Sequence, residues 1–169
     1  MSRYQVNELL DMIVEGDDMD RKVERALRAF TIDPTLKSLL EMASDPALKI
    51  QDIPEGFPAK YRPDSAIPAG IADTNIRTEF RRIGNFLPGR SLKTLTPKQR
   101  EEHWTQMLTG LHWKEAEIMT MVKDQTLLDH YPDLWVILPA VGIDVLINTK
   151  KEETSSKKTK TSKKEKSNV

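Results

Sequence analysis

Residues 96–122 read TPKQREEHWTQMLTGLHWKEAEIMTMV, and this stretch decides the fold class. Thr96-Pro97-Lys98-Gln99 is a capping box with proline at the first helical position, the clearest helix start in the chain. Behind it Trp104, Met107, Leu108 and Leu111 recur at helical spacing. Past Gly110 a further apolar stripe runs through Ala116, Ile118, Met119 and Val122. Two helices in succession, with no strand alternation between them, predict an all-α protein.

Working outward, the N-terminal forty residues also read as helices. Val6, Leu9, Leu10, Ile13 and Val14 form one stripe, broken by Gly16 and Asp17-Asp18. Met19, Val23, Ala26, Leu27 and Phe30 form the apolar face of the next helix, with Arg21, Lys22, Arg25 and Arg28 opposite. Asp33 is an N-cap with Pro34 at the first helical position, ahead of Leu36, Leu39, Leu40 and Ala43. Between residues 73 and 87, Ile76, Phe80, Ile83 and Phe86 predict a helix capped by Asp73 or Thr74 and ended by Pro88-Gly89. Asp133 is read as the cap of LWVILPAVGIDVLI, which Pro139 and Gly142 should split, leaving room for a short strand after Gly142.

Residues 45–72 break this pattern. Five of the ten prolines fall there (46, 54, 58, 63 and 68), which forbids regular helix and argues against a central strand. Ile53, Phe57, Tyr61, Ile67 and Ile71 supply apolar anchors, so the expectation is an extended wrap laid across the helical body. A structural wrap without a ligand is the simpler reading of it. The expected organisation is a compact helical domain over 1–148, containing this proline-rich segment, followed by a disordered basic tail over 149–169.

Charge is balanced overall, with 26 Lys+Arg and 26 Asp+Glu among 169 residues. Locally it is not. The tail, TKKEETSSKKTKTSKKEKSNV, carries eight Lys and three Glu, a net of +5 that leaves -5 on the rest. It has no aromatic residue and one apolar residue, too little to offset the entropy of ordering it. Such a polycation suits sequence-blind contact with phosphates, and equally a purely solubilising role. Within the body, residues 76–100 hold Arg77, Arg81, Arg82, Arg90, Lys93, Lys98 and Arg100 against the single acid Glu79, a net of +6. Arg77 and Arg81 are four apart and share a helical face. Arginine forks match phosphate, and they match internal carboxylates as well.

Other chemistry finds little support. Cysteine is absent, which removes disulfides, thiolate metal sites and thiol catalysis. His103, His112 and His130 lack metal-ligand spacing, and His103 and His112 read as lying on a partly exposed face. Glu101–Glu102 and Glu115–Glu117 do not share a helical face, so they read as solvated carboxylates rather than an acid/base pair. No phosphate-cradling glycine loop or nucleophile elbow occurs. Neither an enzyme nor a cofactor is expected. No base-stacking aromatics interleave with the arginines, and no helix-turn-helix is evident. Gln125-Thr126-Leu127-Leu128-Asp129-His130-Tyr131 matches the core of a sliding-clamp peptide, but Leu127, Leu128 and Tyr131 serve equally as core contacts. No apolar run is long enough to span a bilayer, and MSRYQVNELL lacks the pattern of a secretory leader. A cytoplasmic location is expected.

The central sequence IPEGFPAKYRPDSAIPAGIADTNIRTEFRRIGNFL, with EAEIMTMVKDQTLLDHYPDL further on, resembles a family of small uncharacterised proteins of tailed bacteriophages. The resemblance covers roughly residues 40–145. It carries no catalytic or binding residue, and implies an accessory protein acting in the bacterial host cytoplasm. The function expected is therefore non-enzymatic binding of nucleic acid, DNA or RNA. Arg77, Arg81, Arg82, Arg90 and Lys93 are the candidate phosphate contacts on the body, and Lys157, Lys158, Lys163 and Lys164 those on the tail. The rival is a protein–protein adaptor or host-takeover factor with a phage or host partner, or a minor virion component, in which the tail only solubilises.

Overall fold

The computed structural model describes residues 4–63, 66–68, 71–87 and 95–147. Among the described residues eight α-helices follow one another: α1 (Val6–Val14), α2 (Met19–Ile32), α3 (Pro34–Ser44), α4 (Ile76–Ile83), α5 (Pro97–Gly110), α6 (Trp113–Asp124), α7 (Leu127–His130) and α8 (Leu134–Ala140). Short 3-10 turns lie at Pro46–Leu48 and Gly84–Phe86. No strand occurs among the described residues, so the fold is all-α.

Helix α6 is the centre of the packing, touching α1, α3, α5 and α7. It is buried around much of its circumference, through Ala116, Ile118, Met119 and Val122 and also through the polar Glu115, Thr120 and Lys123. Its exposed side chains are Lys114 and Glu117, so only a narrow solvated stripe marks its orientation. Its entry is capped by the His112 ring, which accepts the Lys114 N–H at 3.3 Å. Its exit turns through Gln125 in a left-handed conformation, φ 57°. The Gln125 amide then reaches the carbonyls of Met42 at 3.1 Å and Asp45 at 2.6 Å, locking the end of α6 to the end of α3.

The capping box at Thr96–Gln99 forms as the sequence predicts, and Asp33 caps α3 through the Thr35 N–H at 3.2 Å. Several details differ from expectation, each for a packing reason. Lys22 lies on the buried face of α2 and Leu27 on the exposed one, because the Lys22 ammonium pairs with the Asp133 carboxylate at 2.7 Å. Asp133 is thus drawn away from capping α8, which begins without a side-chain cap bond. Helix α4 is capped by Asn75, whose carbonyl accepts the Thr78 N–H at 3.0 Å, rather than by Asp73 or Thr74. After Gly142 the chain stays irregular, and the Leu146 N–H closes onto the Ser44 carbonyl at 2.8 Å.

The described residues of the proline-rich segment are irregular apart from the turn at Pro46–Leu48, and side chains of α5 and α6 hold them. Ile50 and Tyr61 are buried, whereas Phe57, stacked on Tyr61 at 5.0 Å, and Ile71 remain exposed. Side chains of the body hold its backbone. Lys123 donates to the Pro54 carbonyl at 2.7 Å, Asp124 accepts the Gly56 N–H at 2.8 Å, and Arg100 donates to the Gln51 carbonyl at 3.3 Å. The second ring nitrogen of His112, Nε2, lies 3.0 Å from the Ile67 carbonyl. Unable to form its own ladder, a proline-rich chain satisfies its carbonyls with body side chains.

Candidate nucleic-acid interface

Helix α4, IRTEFRRI, carries the basic stretch and is anchored at its N-terminal end. Ile76 and Ile83 are fully buried. The Ile76 N–H, an orphan donor of the first turn, is taken by the Glu115 carboxylate of α6 at 2.9 Å. Glu115 is therefore not a solvated surface acid: it is 1% exposed. Burial raises its pKa above the ordinary carboxylate value, while the Ile76 N–H and Arg77 pull the other way. One residue before the cap, the Thr74 N–H bonds the Gly110 carbonyl at 3.0 Å, fixing the start of α4 against the end of α5.

The candidate arginines divide. The Arg77 guanidinium pairs with the buried carboxylate of Asp33 and also donates to the Tyr4 carbonyl at 2.5 Å. It joins α4 to the α2–α3 junction, and its side chain is 26% exposed. Arg81 and Arg82 are exposed, at the last turn of α4, where cations also complement the negative helix terminus. Arg82 lies 3.4 Å from the buried Glu79 carboxylate, with 73% of its own side chain exposed. Arg90, Lys93, Lys157, Lys158, Lys163 and Lys164 lie outside the described residues, as do Pro88-Gly89 and the tail. Arg100 is turned inward, donating to the carbonyls of Gln51 and Phe86 and sitting 5.6 Å over the Phe86 ring.

Beside Arg82 a cleft of about 440 Å³ opens between the end of α4 and the middle of α5. Leu95, Phe86 and Met107 give it apolar walls, and Arg82, Asn85, His103 and Gln106 line it with polar groups. Phe86 is fixed from behind, edge-to-face on Trp104 at 5.3 Å. Sequence reasoning had no route to Asn85, His103 and Gln106 as a group, because they come from two elements whose docking sets their proximity.

The histidines separate as well. His103 and His130 are exposed, but His112 is buried and serves as the cap of α6. Among the described residues no three His, Asp or Glu side chains are placed to hold a metal ion, and no helix is long and apolar enough to cross a membrane. The sliding-clamp-like stretch is part of the body: Leu127 and Leu128 are fully buried, and the Tyr131 hydroxyl donates to Asp11 at 2.8 Å.

Neither the curated proteins nor the solved structures contain a significant match to this chain. Residues 9–129 match DUF6433, a family of unknown function. That match spans α1 through the start of α7 and most of the chain, so the protein belongs to the DUF6433 family.

Proposed function

We propose that this protein is a non-enzymatic accessory factor that binds nucleic acid through charge, and that it is encoded by a tailed bacteriophage and acts in the host cytoplasm. The observation that carries the binding reading is the exposed Arg81–Arg82 pair on a helix held rigid at its other end. It belongs to a stretch with seven basic residues and one acid, in a chain that also ends in a lysine-rich segment. Two exposed guanidiniums on a fixed helix end, Arg82 shared with Glu79, offer phosphates planar donor forks. Arg90, Lys93 and the tail lysines 157, 158, 163 and 164 extend the same charge along the sequence. Arg77 is committed to Asp33 and serves to orient α4.

The test is a salt titration of binding to labelled DNA and RNA, with the full chain and with a version ending at Asn148. The expected result is a logarithmic salt slope of about -0.9 per phosphate neutralised on duplex DNA, reduced by truncation and by R81E/R82E. Absence of binding at about 50 mM salt, where such contacts are strongest, refutes the reading. Capture of a phage or host protein would then support the adaptor alternative.

A further inference from the structure

The cleft beside Arg82 has a composition that a phosphate-binding surface alone does not require. A sugar-phosphate backbone needs cations and donors, which Arg81 and Arg82 supply at the surface. The lining also includes apolar side chains: Leu95, half-buried, and the small accessible edges of Phe86 and Met107, which are otherwise buried and so fixed in place. Asn85 and Gln106 add two primary amides, each with a donor and an acceptor on one planar group. His103 stands exposed on the α5 side. A cation, apolar contacts and flat donor–acceptor groups lining one cleft match a phosphate joined to a planar heteroaromatic ring. The volume of about 440 Å³ lies within the ordinary range for small-ligand sites.

We infer that this cleft receives an unpaired nucleobase, and so makes the protein a binder of single-stranded rather than duplex nucleic acid. This rests on the nucleic-acid reading above and specifies its substrate. In a duplex the bases are stacked and paired, and their faces cannot reach the apolar lining. In a single strand a base can leave the stack and present both its face and its hydrogen-bonding edge. Arg82 trades its contact with Glu79, whose buried carboxylate keeps the Thr74 hydroxyl at 2.9 Å, for the phosphate of that nucleotide, and Arg81 takes a neighbouring phosphate. The base enters against Leu95, the partly exposed apolar residue of the lining, with Asn85 and Gln106 meeting its edge. Charge complementarity favours this occupant, since the cleft lining carries Arg82 and no carboxylate.

The experiment compares a labelled oligothymidylate with its duplex on oligoadenylate, at about 50 mM salt where phosphate contacts are strong. It uses the full chain, N85A/Q106A and R81E/R82E. Asn85 and Gln106 are exposed, so the first variant is expected to fold, and circular dichroism checks each protein. The expected result is tighter binding of the single strand, weakened about tenfold by N85A/Q106A, with duplex binding changed less than about twofold. R81E/R82E should weaken both. Equal binding of the two forms, unaffected by N85A/Q106A but lost in R81E/R82E, overturns the cleft and leaves the charge-based function standing. Binding of neither form by the full chain overturns both.

Discussion

The Glu115 carboxylate of α6 accepts the backbone N–H of Ile76, the first residue of α4, at 2.9 Å, inside a protein interior that leaves Glu115 1% exposed. One buried side chain thus caps the helix that carries the exposed arginines and ties it to the central helix of the fold.

That placement makes stability depend on pH. Burial raises the Glu115 pKa above its ordinary value of 4.5. As pH climbs past 4.5, the unfolded chain releases this proton before the folded one does. Stability from this group is therefore fully present below 4.5, falls as pH rises through the folded pKa, and is flat beyond it. E115Q keeps an acceptor for Ile76 without the charge. Its stability relative to wild type should rise across that window in urea denaturation at a series of pH values. E115A leaves the Ile76 N–H unpaired and should cost about 1–3 kcal/mol.

Arg77 and its neighbours should separate stability from binding. R77A strands the Asp33 carboxylate, which is 4% exposed, and should cost about 2 kcal/mol, less than a fully buried pair because Arg77 itself is partly solvated. R81A/R82A, on the solvated end of the same helix, should stay within about 0.5 kcal/mol of wild type. Denaturant midpoints at constant slope give both values.

Gly110 is needed for close approach. A Cβ there would lie 3.0 Å from the Thr74 Cγ2 methyl. G110A alone gains helix propensity and loses packing, and the two should nearly cancel. In a T74S background the methyl is gone, and G110A should then stabilise by about 0.5–1 kcal/mol. A double-mutant cycle on thermal or urea unfolding reads the coupling, which should be absent if Thr74 simply moves aside.

Lys123 holds the proline-rich segment. Its ammonium, almost wholly buried, bonds the Pro54 carbonyl and the Asp124 carboxylate at 2.5 Å, and Asp124 in turn holds the Gly56 N–H. K123M fills the same volume and removes the donor. It should cost about 1–3 kcal/mol and speed hydrogen exchange at Gly56 ahead of the core amides of α6. Uniform acceleration across the protein would instead mean that the segment opens only with global unfolding.

The resemblance drawn from the sequence placed the chain in an uncharacterised family, and the family match over residues 9–129 agrees at that level. Most helices were legible because each carries a local signal: the Thr96 capping box, the Asp33-Pro34 start, and apolar residues at helical spacing. The proline spacing of 45–72 likewise forbade helix there, whatever the tertiary context. Polar residues were less readable. Lys22, Glu115, His112 and Lys123 look like solvent-facing groups along the chain, yet all are buried, because each finds a partner far away in sequence. The same holds for the basic helix. Sequence alone determined that Arg77, Arg81 and Arg82 are concentrated on one short helix. Only the tertiary anchoring of α4, through Arg77 to Asp33 and the Ile76 N–H to Glu115, decided that Arg77 turns inward while Arg81 and Arg82 face water. Helical periodicity fixes which side chains share a face, but the direction of that face is set by long-range burial and pairing that no local pattern encodes.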